Sequence, residues 1–96
     1  MSDEQKVYVP FMARVTMNME FENSAENRVD PDIVELHLGG KVYTDEIVRE
    51  GVGLYTYEMV ANSPGTYKRI WVGKNTDNSF YAESKAKIFI VTPSQV

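Results

Sequence analysis

Phe11-Met12-Ala13-Arg14-Val15-Thr16-Met17-Asn18-Met19-Glu20-Phe21 is the stretch whose reading decides the fold class. Phe11, Ala13, Val15, Met17, Met19 and Phe21 fall on one side. Arg14, Thr16, Asn18, Glu20 and then Glu22 fall on the other. Strand side chains alternate faces, so this pattern predicts a strand that is apolar inward and polar outward, whereas a helix would scatter the same residues around its circumference. The run is longer than the usual strand of about five or six residues, which predicts a bend or bulge.

Toward the N-terminus, Pro10 lacks the N–H that a sheet ladder needs, so Val7 and Val9 are assigned to an edge strand or an arm. Residues 1–10 are taken as an N-terminal arm or edge segment and residues 11–93 as a single domain. Toward the C-terminus, the Asn, Ser, Asp and Glu of residues 23–32, with Pro31, mark a loop. Val34, Leu36 and Leu38 alternate with Glu35 and His37 as a second strand. Gly39-Gly40 predicts a hairpin, with Lys41 to Thr44 returning. A short strand is expected at Ile47 to Arg49. Gly51 and Gly53 break it before an alternating strand from Leu54 to Val60. Asn62-Ser63-Pro64-Gly65 predicts a type II turn. In the next strand Tyr67, Arg69 and Trp71 share one side and Ile70 and Val72 the other, so spacing leaves the facing open; the first side is favoured as inward, with the Arg69 head reaching water. The last strand runs from Phe80 to Val91. Apolar residues change faces within it, which predicts a bulge or a second buried face. About seven strands with regular turn signals predict an all-β, immunoglobulin-like β-sandwich of antiparallel strands.

The chain has 96 residues, a length that suits one domain. Its net charge of −4 argues against a nucleic-acid partner. Residues 1–58 carry 12 acids against 5 bases, and residues 59–96 carry 2 acids against 5 bases. Such a division suits either strands exposing different charges or a dipolar docking surface. The absence of cysteine excludes disulfides, thiolate zinc sites and cysteine nucleophiles. No apolar run approaches the roughly 18 residues of a membrane span, so no membrane partner is expected. The opening residues show no apolar h-region, which argues against a secretory leader.

Chemistry-bearing motifs are sparse. His37 is the single histidine and sits among a strand's outward positions; no nucleophile motif accompanies it. Asp30 and Asp32, or Asn75, Asp77 and Asn78, offer oxygens to calcium, but EF-hand spacing is absent and these residues are ordinary turn formers. Glu20 and Glu22 read as a solvated strand face rather than as a glycosidase pair. No catalytic, cofactor or metal residue is assigned, and no enzymatic activity is expected. Tyr55, Pro64, Gly65, Tyr67 and Trp71 are assigned structural roles, as core fillers and turn formers.

Val29-Asp30-Pro31-Asp32-Ile33-Val34-Glu35-Leu36 resembles the opening of small immunoglobulin-like structural proteins of tailed bacteriophages. In these, an Asp-Pro-Asp step precedes an alternating strand. Gly51-Val52-Gly53-Leu54-Tyr55 is similar to their Gly-x-Tyr strand, Pro64-Gly65-Thr66-Tyr67 to their Pro-Gly-Thr-aromatic turn, and Arg69 with Trp71 to the strand that follows. The resemblance spans about residues 13–91, with Gly39-Gly40 replacing a longer turn. It implies a virion structural protein assembled in the host cytoplasm, foremost a capsid decoration or head accessory protein. Its partners would be the major capsid protein or neighbouring copies, in an oligomeric particle. A neck, tail or fibre component is the alternative. A carbohydrate-binding or adhesion module, using an exposed Trp71 or Tyr81, is a further one. The partner-binding candidates are Val7, Val9, Pro10 and Phe11, since an extended apolar segment can add to a neighbour's sheet edge.

Overall fold

The computed structural model describes residues 7–93. Nine strands make up its regular structure: β1 (Val7–Val9), β2 (Arg14–Glu20), β3 (Ile33–Leu38), β4 (Lys41–Tyr43), β5 (Val48–Gly51), β6 (Leu54–Val60), β7 (Gly65–Lys74), β8 (Tyr81–Glu83) and β9 (Lys87–Val91). One sheet has the order β1-β9-β7-β3-β4, with β8 paired to β7. The other has the order β2-β6-β5. The β2, β6 and β5 strands occupy the B, E and D places of an immunoglobulin sandwich, and β3, β7 and β9 occupy C, F and G. The fold is thus the expected all-β sandwich, with nine strands in place of about seven. Pairing is antiparallel throughout except for β1, which runs parallel to β9.

Two differences explain the higher count. Val7–Val9 forms a strand of its own. The expected last strand is broken rather than bulged: β8 and β9 both lie on the same side of β7, and Ser84 spans the gap. Its N–H donates to the Trp71 carbonyl and its hydroxyl accepts from the Trp71 N–H. The first strand is also shorter than its alternation suggests. Phe11 and Met12 form a turn, closed by the Ala13 N–H donating to the Pro10 carbonyl.

The core follows the inward faces. Met17, Tyr55 and Tyr57 from the smaller sheet, with Phe21 just past β2, meet Leu36, Leu38, Trp71, Phe89 and Val91 from the larger. Phe21 makes edge-on contacts with Tyr55 and Phe80, with ring centroids 5.7 and 6.5 Å away. Its ring also lies over Gly73, where a Cβ would come within 2.5 Å of it. Trp71 is 3% exposed and Tyr67 half-buried, both inward as expected. Arg69 shares their side and is half-buried; loss of water around its guanidinium lowers its pKa.

Two reversals show how turn chemistry met the fold. Gly39 and Gly40, at φ 58° and 83°, make the two-residue hairpin turn between β3 and β4. Gly65 does not sit in the expected type II turn. Its φ is 146°, and it already pairs with Val91. The corner is held instead by Tyr67, whose hydroxyl donates to the Ser63 carbonyl at 2.6 Å while its ring stacks on Phe89. That is the tyrosine corner of immunoglobulin sandwiches.

Candidate protein-docking surface

The two sheets differ on their outer faces. On the smaller sheet, outward residues bond to each other across strands: Arg14 and Thr16 donate to Glu58, and Thr56 donates to Asn18. Such a face is largely polar, with Val48 and Val60 as its exposed apolar residues.

The larger sheet is different. Pairing registers place Tyr8, Ile90 and Thr66 in one outward row, with Ile88 and Lys68 in the next. Ile70, His37 and Val42 make a third. Tyr8 is 60% exposed, Val42 53% and Ile88 37%, while Ile70 and Ile90 are half-buried. This face also carries Lys68 and Lys74 from the basic part of the chain, and Glu35, which lies 3.0 Å from His37 Nε2 and 4.0 Å from Lys74 Nζ. These apolar positions share one face, with Thr66, Lys68 and His37 among them, and apolar residues grouped on one face mark an interaction site more often than scattered ones do. The alternation of β9 hid it: Phe89 and Val91 fill the core, so Ile88 and Ile90 are left outward.

Among the residues singled out for partner binding, Val7 and Val9 form the edge strand β1. Val9 offers its carbonyl to the Thr92 N–H, so its backbone faces β9. Backbone groups alternate along a strand, so the Tyr8 N–H and carbonyl point to the open edge. Pro10, the next outward position, has no N–H to offer. Phe11 is half-buried in the turn, and Met12 beside it is 57% exposed at φ 69°. Residues 1–6 lie outside the described residues.

The Asp30-Pro31-Asp32 step is a pair of clips. The Asp30 carboxylate accepts from Arg49 Nε and Nη2 at 3.1 and 2.8 Å, from the Gly53 N–H at 2.8 Å and from the Tyr55 hydroxyl at 3.0 Å. The Arg49 bonds and then the Gly53 N–H hold its pKa at about 2. Asp32 accepts from the Thr76 N–H and hydroxyl, and its own N–H donates to Asn75. Pro31 is buried between them. Asp77 accepts from the Ser79 N–H, and its bonds to Ser79 lower its pKa. These oxygens therefore tie the β5–β6 and β7–β8 loops to the start of β3. Among the described residues no cluster of three histidine or carboxylate side chains converges.

Trp71 lies in the core, so it is not available to stack a sugar. Tyr81 is 62% exposed, and its hydroxyl donates to Glu83, which raises its pKa.

No family model and no curated relative matches the chain. A solved structure that it resembles is that of the endo-β-1,4-mannanase from Thermotoga petrophila, with a TM-score of 0.67 and 11% identity. The likeness covers 94% of this chain and 18% of the mannanase chain. At that identity it shows a shared β-sandwich fold.

Proposed function

We propose that the protein is a non-enzymatic virion component of a tailed bacteriophage, foremost a decoration or head accessory protein that docks on the assembled shell. The observation that carries this reading is the outer face of the larger sheet, where Tyr8, Ile88 and Val42 are exposed and Ile70 and Ile90 half-buried. The resemblance around Asp30-Pro31-Asp32 and Pro64-Gly65-Thr66-Tyr67 supplies the phage context. Lysines among the apolar residues suit an acidic rim on the partner. Many copies, each held weakly, would add to a stable coat by multivalency.

Co-sedimentation with empty heads of the phage that carries the gene tests it. Saturable binding is expected, and Ile88→Glu should abolish it while the fold is retained. Absence of binding by the wild-type protein overturns the head assignment, and a ring in solution would favour a neck or tail place.

A second reading is a module attached to a carbohydrate-active enzyme. The fold likeness to part of a mannanase chain favours it, and Tyr81 is the exposed aromatic it would use. Retardation in a mannan-containing native gel, lost in Tyr81→Ala, is the corresponding result.

A further inference from the structure

Every sheet has edges, and four of the five edge or partly paired strands here are blunted. β1 and β4 are three residues long, and β1 stops at Pro10. β8 is equally short. β5 shifts register between Arg49 and Gly51. Short strands, prolines and bulges are the usual means of preventing edge-to-edge pairing. β2 has none of them. It is seven residues long, pairs with β6 in unbroken register from Arg14↔Val60 to Glu20↔Leu54, and no described strand pairs with its other side.

The open groups on β2 can be identified. The Ala13 carbonyl accepts from Ala61, and the Phe21 N–H donates to Gly53, so odd-numbered residues face β6. The N–H and carbonyl groups of Arg14, Thr16, Asn18 and Glu20 therefore face outward along the open edge. The following loop leaves on the β6 side, where the Val29 N–H donates to the Phe21 carbonyl near Gly53.

We propose that this edge binds a second copy of the same chain, β2 against β2, antiparallel about a two-fold axis through Met17. The argument is self-complementarity. In that register Arg14 lies opposite Glu20 of the second copy and Thr16 opposite Asn18, at both ends alike. All of these are outward-facing backbone positions, so each such pair exchanges both of its hydrogen bonds. The inward side matches too. Val15 lies opposite Met19 and Met17 opposite Met17, and the half-buried Val15 and Met19 become covered. Slipping the register by two residues leaves an Arg14 or Glu20 without its counterpart, and slipping by one turns the inward face outward. Arg14 and Glu20 already touch Glu58 and Arg28 within the chain, but these ion pairs are exposed and cost little to share. The result is a continuous six-stranded sheet with closed symmetry, which leaves the apolar face of the larger sheet free.

Sedimentation velocity of the whole chain, from about 1 µM to about 1 mM, tests this over the range of affinity a small interface reaches. The expected result is a monomer–dimer equilibrium. Thr16→Pro removes an N–H that faces the open edge, and edge strands tolerate proline there. It should weaken the dimer by about tenfold or more. Arg14→Glu places two acids opposite each other at both ends and should weaken it similarly. Combining Arg14→Glu with Glu20→Arg in one chain restores opposite charges and should restore dimerisation, which a general folding defect would not allow. Thermal unfolding of each variant monitors the fold. A monomer at every concentration overturns the proposal. So do a dimer indifferent to these variants, an assembly larger than a dimer, and Thr16 and Asn18 amides protected from exchange in a monomer, which would mean that the edge is already closed within the chain. Head binding is read separately, through Ile88→Glu, so either result stands without the other.

Discussion

The Asp30 carboxylate accepts the Gly53 N–H at 2.8 Å, across a turn whose Gly53 is held at φ 72°. This one bond joins the loop that leads into β3 to the turn that starts β6. The same oxygen accepts the Tyr55 hydroxyl, so the two sheets are tied together at one end of the sandwich.

The tie gives the protein an acid-sensitive term. The Asp30 pKa is lowered from 3.8 to about 2, chiefly by the Arg49 bonds. A depressed carboxylate pKa contributes stability that is present above the unfolded value and lost as pH falls through the folded one. Asp30→Asn should therefore be less stable than wild type at neutral pH, and the difference should close between pH 3.8 and about pH 2. Urea unfolding of both proteins across that window checks it.

Gly53 and Gly73 resist substitution for different reasons. A Cβ on Gly53 would meet the Phe21 carbonyl oxygen at 2.7 Å, in a left-handed conformation that already costs a side chain about 1–2 kcal/mol. On Gly73 it would press the Phe21 ring and Pro31, an overpacking cost of about 1–3 kcal/mol. Backbone yields less than a ring, so Gly53→Ala should lower stability more than Gly73→Ala. Denaturant midpoints of the two variants decide the order.

Tyr67→Phe should cost about 0.5–1.5 kcal/mol, the net worth of one hydrogen bond, because the ring stacked on Phe89 remains. Tyr67→Ala removes the ring as well and should cost about 3–5 kcal/mol. A chemical denaturation series separates the two contributions.

Met12 is the reverse case. It has a side chain where φ is 69°, and that side chain is 57% exposed. Met12→Gly should raise stability by up to about 1 kcal/mol, since relief of the left-handed strain exceeds the added freedom of the unfolded chain. A higher melting temperature with an unchanged circular-dichroism spectrum is the expected readout.

Trp71 is nearly excluded from water. Its fluorescence should be blue-shifted and weakly quenched by iodide in the native protein, indifferent to added mannan, and red-shifted on unfolding. Strong iodide quenching in the native state would contradict its core position.

Much of the fold can be read along the chain because side-chain facing is a local property. Val15, Met17 and Met19 alternate with Thr16 and Asn18, so their inward face follows from spacing alone. Gly39-Gly40 specifies its hairpin because few other pairs tolerate two positive φ values. The inward placement of Tyr55 follows from the same alternation, whereas in β7 alternation groups Tyr67 with Trp71 but leaves Ile70 and Val72 as the rival inward side, and packing against Phe89 and Leu36 decides it.

Pairing partners are not local, and only the tertiary structure decided them. Val7–Val9 joins β9 from the opposite end of the chain, in parallel, and nothing in three alternating residues names that neighbour. The break at Ser84 exists because β7 can pair with β8 and β9 in succession along one side. Asp30 and Asp32 look like any turn formers until the β5–β6 and β7–β8 loops are brought to them. The apolar outer face likewise emerges from four strands of one sheet, β1, β9, β7 and β4, each contributing one or two residues. Sequence by itself determined which way these side chains face, through steric alternation between neighbours. Tertiary structure determined what each face and edge meets, because that depends on closing long loops between distant segments.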